Sequence, residues 1–166
     1  MANYDNLNLS EFTLDDFIDV GILIHGFTPY KRDYYFHIET LWREPWAGQY
    51  VLLFRHCYEF NYSTVAEPKV IIESWEDAFI DFEKYQAAGE PEGYVWGTNH
   101  MLAYPGFRLV KDSQKAAVWS ARLGRQMQET CLEAEIFQMS LIFFDWTLTK
   151  LNDETNLIRQ IIFPIS

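Results

Sequence analysis

Four histidines, His25, His37, His56 and His100, are the residues of this chain best suited to proton transfer or metal ligation. No two stand at i, i+2 on a strand or i, i+4 on a helix, the spacings that would bring two imidazoles onto one metal ion. A zinc site would need ligands gathered from separate strands; the plainer expectation is imidazoles hydrogen-bonded on half-buried strands. His56 adjoins Cys57, but neighbours on a strand point to opposite faces, so this thiol and imidazole cannot pair as nucleophile and base. Cys131 stands among Glu129, Glu133 and Glu135, carboxylates that oppose a thiolate wherever they lie close to it. Both cysteines are expected as small core residues.

Carboxylates are the more numerous candidates. Glycoside hydrolysis needs two, held about 5 Å or about 6.5–9.5 Å apart across a cleft. Glu39 and Glu44 beside Trp42 and Trp46, or Glu90 and Glu92 beside Tyr94 and Trp96, have the right composition. With 24 Asp and Glu in the chain, such neighbours also arise by chance. No nucleophile elbow, phosphate-binding glycine loop, dinucleotide fingerprint or H-E-x-x-H motif occurs.

The aromatic residues say more: 13 Phe, 10 Tyr and 6 Trp make up 17% of the chain. Most sit in strand-like runs and are expected to fill a core. Two clusters lie in turn-like contexts instead. One is Leu41 to Trp46; the other runs from Tyr94 through Trp96 to Phe107. Loop aromatics beside arginine have the composition of binding hot spots.

Charge narrows the partner. The chain has 166 residues with 13 Lys and Arg, a formal net charge of −11 and a pI near 4.7. Such a field repels nucleic acid and anionic membrane surfaces and speeds encounter with a basic protein. Residues 67–92 hold eight acids and two bases, whereas 108–125 hold five bases and one acid. Met1 to Ser10 lack the charge and apolar core of a secretory signal, and no apolar run approaches the roughly 20 residues of a membrane span. Two cysteines suit a reducing cytoplasm.

These residues must be positioned by one domain, residues 1–166, of α+β class: a mostly antiparallel sheet of six or seven strands with two helices packed on it. Alternation predicts strands over Asp16 to His25, Tyr34 to Leu41 and Gln49 to Tyr62, joined as a meander. Lys69 to Glu73 reads as a short strand. A first helix follows, capped at Ser74, with Trp75, Ala78, Phe79, Phe82 and Tyr85 on its buried stripe and Glu76, Asp77, Asp81 and Glu83 mostly off it. A second helix spans Gln114 to Leu123, capped by Asp112 or Ser113 and stopped at Gly124. Strands resume at Met127, with a turn near Ile136 to Gln138 where the alternation changes phase. The apolar tail, Leu157 to Ile165, is expected to dock onto the body. In the irregular loop, Val95, Leu102 and Phe107 should turn inward while Tyr94 and Trp96 stay exposed.

Two functions of different classes fit. The first is a non-catalytic protein that recognises a basic protein partner through Glu76, Asp77, Asp81 and Glu83 together with Trp42, Trp46, Tyr94 and Trp96. A bacterial immunity protein neutralising a cationic toxin is the concrete form. The alternative is a small-molecule or carbohydrate-binding domain, with or without hydrolase activity, whose pocket is lined by Trp42, Trp46, Tyr94, Trp96 and His100. Neither calls for a cofactor or a metal.

Overall fold

The computed structural model describes residues 12–40, 46–96, 101–134 and 136–151. The protein is α+β, with nine strands in two antiparallel sheets among the described residues. The first sheet contains β1 (Val20–Phe27), β2 (Tyr34–Thr40), β3 (Gly48–Arg55), β5 (Met101–Ala103) and β9 (Asp145–Lys150), in the order β5-β1-β2-β3-β9. The second contains β4 (Glu59–Thr64), β6 (Gly106–Leu109), β7 (Gln128–Glu133) and β8 (Phe137–Phe143), in the order β4-β8-β7-β6.

The β1-β2-β3 meander forms as the alternation predicts. Tyr34, Phe36 and Ile38 share one face of β2, and Tyr50, Leu52 and Phe54 share one face of β3; all six are buried. A register shift between Ile22 and Ile24 interrupts the pairing of β1 with β2. That bulge lets Ile22 and, three residues on, His25 both reach the core side, while Ile24 is turned out. The second sheet supplies Phe107, Leu132, Phe137, Met139, Leu141 and Phe143 to the same core. Rings meet across the gap: Phe54 lies 4.8 Å from Phe143 and Phe36 5.0 Å from Phe107.

The chain departs from the sequence reading at three places. Six or seven strands become nine, partly because the expected strand Gln49 to Tyr62 is broken. His56 takes φ +52, its amide donates to Asp33 Oδ1 at 2.9 Å, and Cys57 N donates to Arg32 O at 2.7 Å. The chain leaves one sheet there and enters the other; alternation of side chains cannot reveal a change of sheet. Lys69 to Glu73 is not a strand but part of α1 (Pro68–Glu73), which Pro68 opens with its preset φ. The helix expected from Ser74 is not continuous. Ser74 ends α1, a 3-10 turn spans Asp77–Phe79, and α2 covers Phe82–Ala87. Asp81 imposes that restart by accepting the Lys84 amide at 2.7 Å as an N-cap, in competition with a helix running through it.

The third helix, α3 (Gln114–Leu123), matches its expected bounds. Ser113 Oγ accepts the Ala116 amide at 3.0 Å, and Gly124 ends the helix in the left-handed region, φ +64. It lies on the outer face of the second sheet, where Ala116, Met127 and Ile142 form a second small core beside Trp119 and Phe144. The turn between β7 and β8 falls at the predicted phase change, with Ala134 N donating to Phe137 O. Among the described residues no helix is long and apolar enough to cross a membrane. The Leu157 to Ile165 tail lies outside the described residues.

Candidate partner-binding surface

Between β4 and β5 the chain leaves both sheets and folds residues 68–96 around one ring. Phe79 is 2% exposed, and Gly93 passes directly over it. A Cβ built at Gly93 would stand 2.4 Å from Phe79 Cε1, and the glycine's φ of +143 is one that side chains avoid, so only glycine closes this turn. Ser74, also buried, ties the two ends together. Its hydroxyl donates to Val70 O and accepts the Tyr94 amide, and its carbonyl accepts Trp96 Nε1 at 2.8 Å. Trp96 N closes the loop on Phe79 O at 2.7 Å.

Outside that nucleus the large side chains face solvent. Trp75 is 76% exposed and Ile72 61%; Phe82, Ile80 and Trp96 are 50, 47 and 41% exposed. Helices of six residues with one shared buried ring cannot cover them. The buried stripe expected for a single helix is therefore corrected: of Trp75, Phe79 and Phe82, only Phe79 is buried. The acids surround these apolar groups. Glu76, Asp77 and Glu83 are exposed and form no ion pair among the described residues, while Asp81 is half-buried by its capping role. Lys69 bridges Glu73 at 3.5 Å and Glu92 at 3.6 Å on the surface, leaving a strong acidic excess in 68–96.

The other expected site residues distribute differently. Tyr94 and Trp96 form an edge-to-face pair at 5.3 Å on this segment, but Tyr94 is half-buried and packs against the main core. Trp46 packs beside Phe12. Its ring meets Phe12 at 4.5 Å, and its carbonyl accepts Thr40 Oγ1 at 2.6 Å and Tyr50 Oη at 2.8 Å. No aromatic pair among the described residues joins Trp46 to Tyr94 or Trp96, and the cavity beside Trp46 is only about 20 Å³. Trp42, Glu44, His100 and Glu135 lie outside the described residues. In the irregular loop Val95 and Phe107 turn inward as expected, whereas Leu102 is 38% exposed.

His25, His37 and Cys57 are engaged within the fold. His25 Nδ1 and Tyr34 Oη are 2.7 Å apart, and burial holds the imidazole below its ordinary pKa and the phenol above its own. His37 Nε2 lies 3.0 Å from Gln49 Oε1. Burial pushes the Cys57 thiol up to about 12, far from a reactive thiolate. Cys131 is raised by burial first and then by the charge of Glu129, with Glu133 adding to it. Cys131 is not a core residue, however: it sits half-buried on the outer face of β7, opposite Ser140 and Arg108.

Comparison with known proteins adds a family and no activity. The model of the YxiG-like protein family matches residues 5–160, and the chain belongs to that family. A crystal structure of an uncharacterized protein from Neisseria gonorrhoeae is 9% identical over 81% of this chain and 94% of its own, with a TM-score of 0.38. No curated protein matches the chain.

Proposed function

We propose that this YxiG-like protein is a non-catalytic binding protein that recognises a basic protein partner through residues 68–96. The observation that carries this reading is the exposure of Ile72, Trp75, Ile80, Phe82 and Trp96 among Glu76, Asp77 and Glu83. Apolar groups of this size left in water on a well-covered protein are the usual mark of an interaction surface. Tryptophan and other aromatics supply most of the energy when such a surface is desolvated. The carboxylates around them would raise the encounter rate with a cationic partner and set its orientation. Trp46 is half-buried against Phe12, and this reading does not rest on it. Neutralisation of a cationic toxin in the bacterial cytoplasm is the biological form that best fits the charge, the two unbridged thiols and the absent catalytic motifs.

Affinity capture from the source organism, run side by side with the wild-type chain and a Trp75→Ala/Phe82→Ala variant, tests the reading. A basic protein retained by the wild type and lost by the variant, with association that slows as salt rises, is the expected result. A partner that is acidic, or one held equally by both chains, would overturn it.

A further inference from the structure

A second, oppositely charged site lies at the C-terminal end of α3, using no residue of 68–96. His56, Tyr58, Leu123, Arg125, Met127 and Phe144 line an open pocket of about 310 Å³, at the small end of the range in which proteins hold organic ligands. Its walls are aromatic. Phe144 meets the His56 ring edge-on at 6.0 Å, and Tyr58 stacks on Trp119 at 5.5 Å. Its floor is Met127, 5% exposed. One wall is fixed by backbone: His56 is held at φ +52 by Asp33, which Arg32 pins in turn at 2.8 Å. A non-glycine residue held in that region by neighbouring groups is a preorganised one.

The charge in this pocket is unusual for a protein of net charge −11. Arg125, on the pocket's lining, lies 5.5 Å from the Phe144 ring; Arg122, outside the lining, lies 4.3 Å from the Trp119 ring, and neither forms an ion pair among the described residues. Two nearby carboxylates face cations other than these arginines. Glu59 accepts Trp119 Nε1 at 2.9 Å and faces Lys115 at 3.5 Å, and Asp145 faces Arg55 at 3.5 Å. The two arginines also offset the negative end of α3.

We propose that this pocket binds a small aromatic anion, a single planar ring carrying a carboxylate or phosphate group. The ring lies between Tyr58 and Phe144, and the anionic group meets the Arg125 guanidinium, whose planar fork suits both oxyanions and whose face stacks on rings. The His56 imidazole is placed to supply a second donor. A polyanion is disfavoured, because the acidic excess of the rest of the chain repels it.

Titration calorimetry and amide NMR of the full chain with phenyl phosphate test the site, with inorganic phosphate and benzyl alcohol as the two halves of the ligand. Phenyl phosphate should bind at least about tenfold more tightly than either half, with shifts confined to residues 56–58, 123–127 and 144. Arg125→Gln should weaken it about tenfold with only a small drop in the thermal melt from the lost charge at the end of α3, while Lys111→Gln, which removes a cation outside the pocket, should leave it unaltered. Inorganic phosphate binding as tightly as phenyl phosphate would show that the ring is not used and overturn the proposal. Equal losses from Arg125→Gln and Lys111→Gln would overturn it too, as would the absence of saturable binding at millimolar phenyl phosphate.

Discussion

The two-sheet body and the segment 68–96 use the same kinds of side chain to opposite ends. In the body, Phe36, Phe54, Phe107 and Phe143 come from four strands of two sheets, and each is at most 2% exposed. Their rings interlock at 4.8 to 6.1 Å, mostly edge to face. In 68–96 a comparable set of apolar residues surrounds a single buried ring, Phe79, and five of them remain in water. The difference is geometric. Sheets bring together residues far apart in sequence and bury one face of each between two layers, whereas two six-residue helices have too little surface to cover one another. Stability should therefore be uneven, high in the body and low in this segment, which is the condition under which a surface can adapt to a partner.

Phe54→Ala should break the body itself. Removing a fully buried ring between two sheets should cost about 3–5 kcal/mol of global stability, read from a urea transition. A loss below about 1 kcal/mol would mean that the core is looser than its contacts imply. Gly93→Ala should act on the other side of the comparison. Its methyl has no room above Phe79, so residues 68–96 should lose roughly 1–3 kcal/mol of local stability. Hydrogen exchange should show faster amides there while β2, β3 and β8 keep their protection. Uniform acceleration would show one cooperative unit instead of two.

A smaller effect separates the acids of the two regions. The Arg32 guanidinium, hydrogen-bonded to Asp33, holds its carboxyl below the ordinary carboxylate range, with the His56 amide adding to this. A lowered folded pKa gives stability that is present above the unfolded value, near pH 4, and is lost as pH falls through the folded value. Asp33→Asn should lower stability at neutral pH and flatten its decline on the acid side; urea midpoints at neutral and acid pH measure both. An acid dependence identical to wild type would remove Asp33 from that role. Trp75→Ala should have the smallest effect on folding, within about 0.5 kcal/mol, because three-quarters of the residue is already in water. The same change should weaken partner binding by about 2 kcal/mol or more. A large drop in melting temperature would place Trp75 in the core and erase the contrast between the regions.

The parts of the fold legible in the sequence are those decided within a few residues. Ser113 and Gly124 bound α3 because capping and left-handed termination are local backbone chemistry. The β1-β2-β3 meander follows from a side-chain period of two with turns between. Legibility failed where two local signals compete or where the partner is remote. The spacing of Trp75, Phe79 and Phe82 suits a helix, but Asp81 caps a new one. Gln49 to Tyr62 alternates throughout, yet Asp33, more than twenty residues away in sequence, turns it at His56.

The candidate surface divides in the same way. Composition alone determined that residues 67–92 are acidic and that the chain carries a net charge of −11, because charge sums along the chain whatever its shape. Which aromatics stay exposed was decided only by the tertiary structure. Trp46 seats on Phe12 and Tyr94 docks on the core, while Trp75 finds no covering element among the described residues. Burial is a property of what packs against a side chain, and for these residues that is set by chain segments that sequence spacing does not bring together.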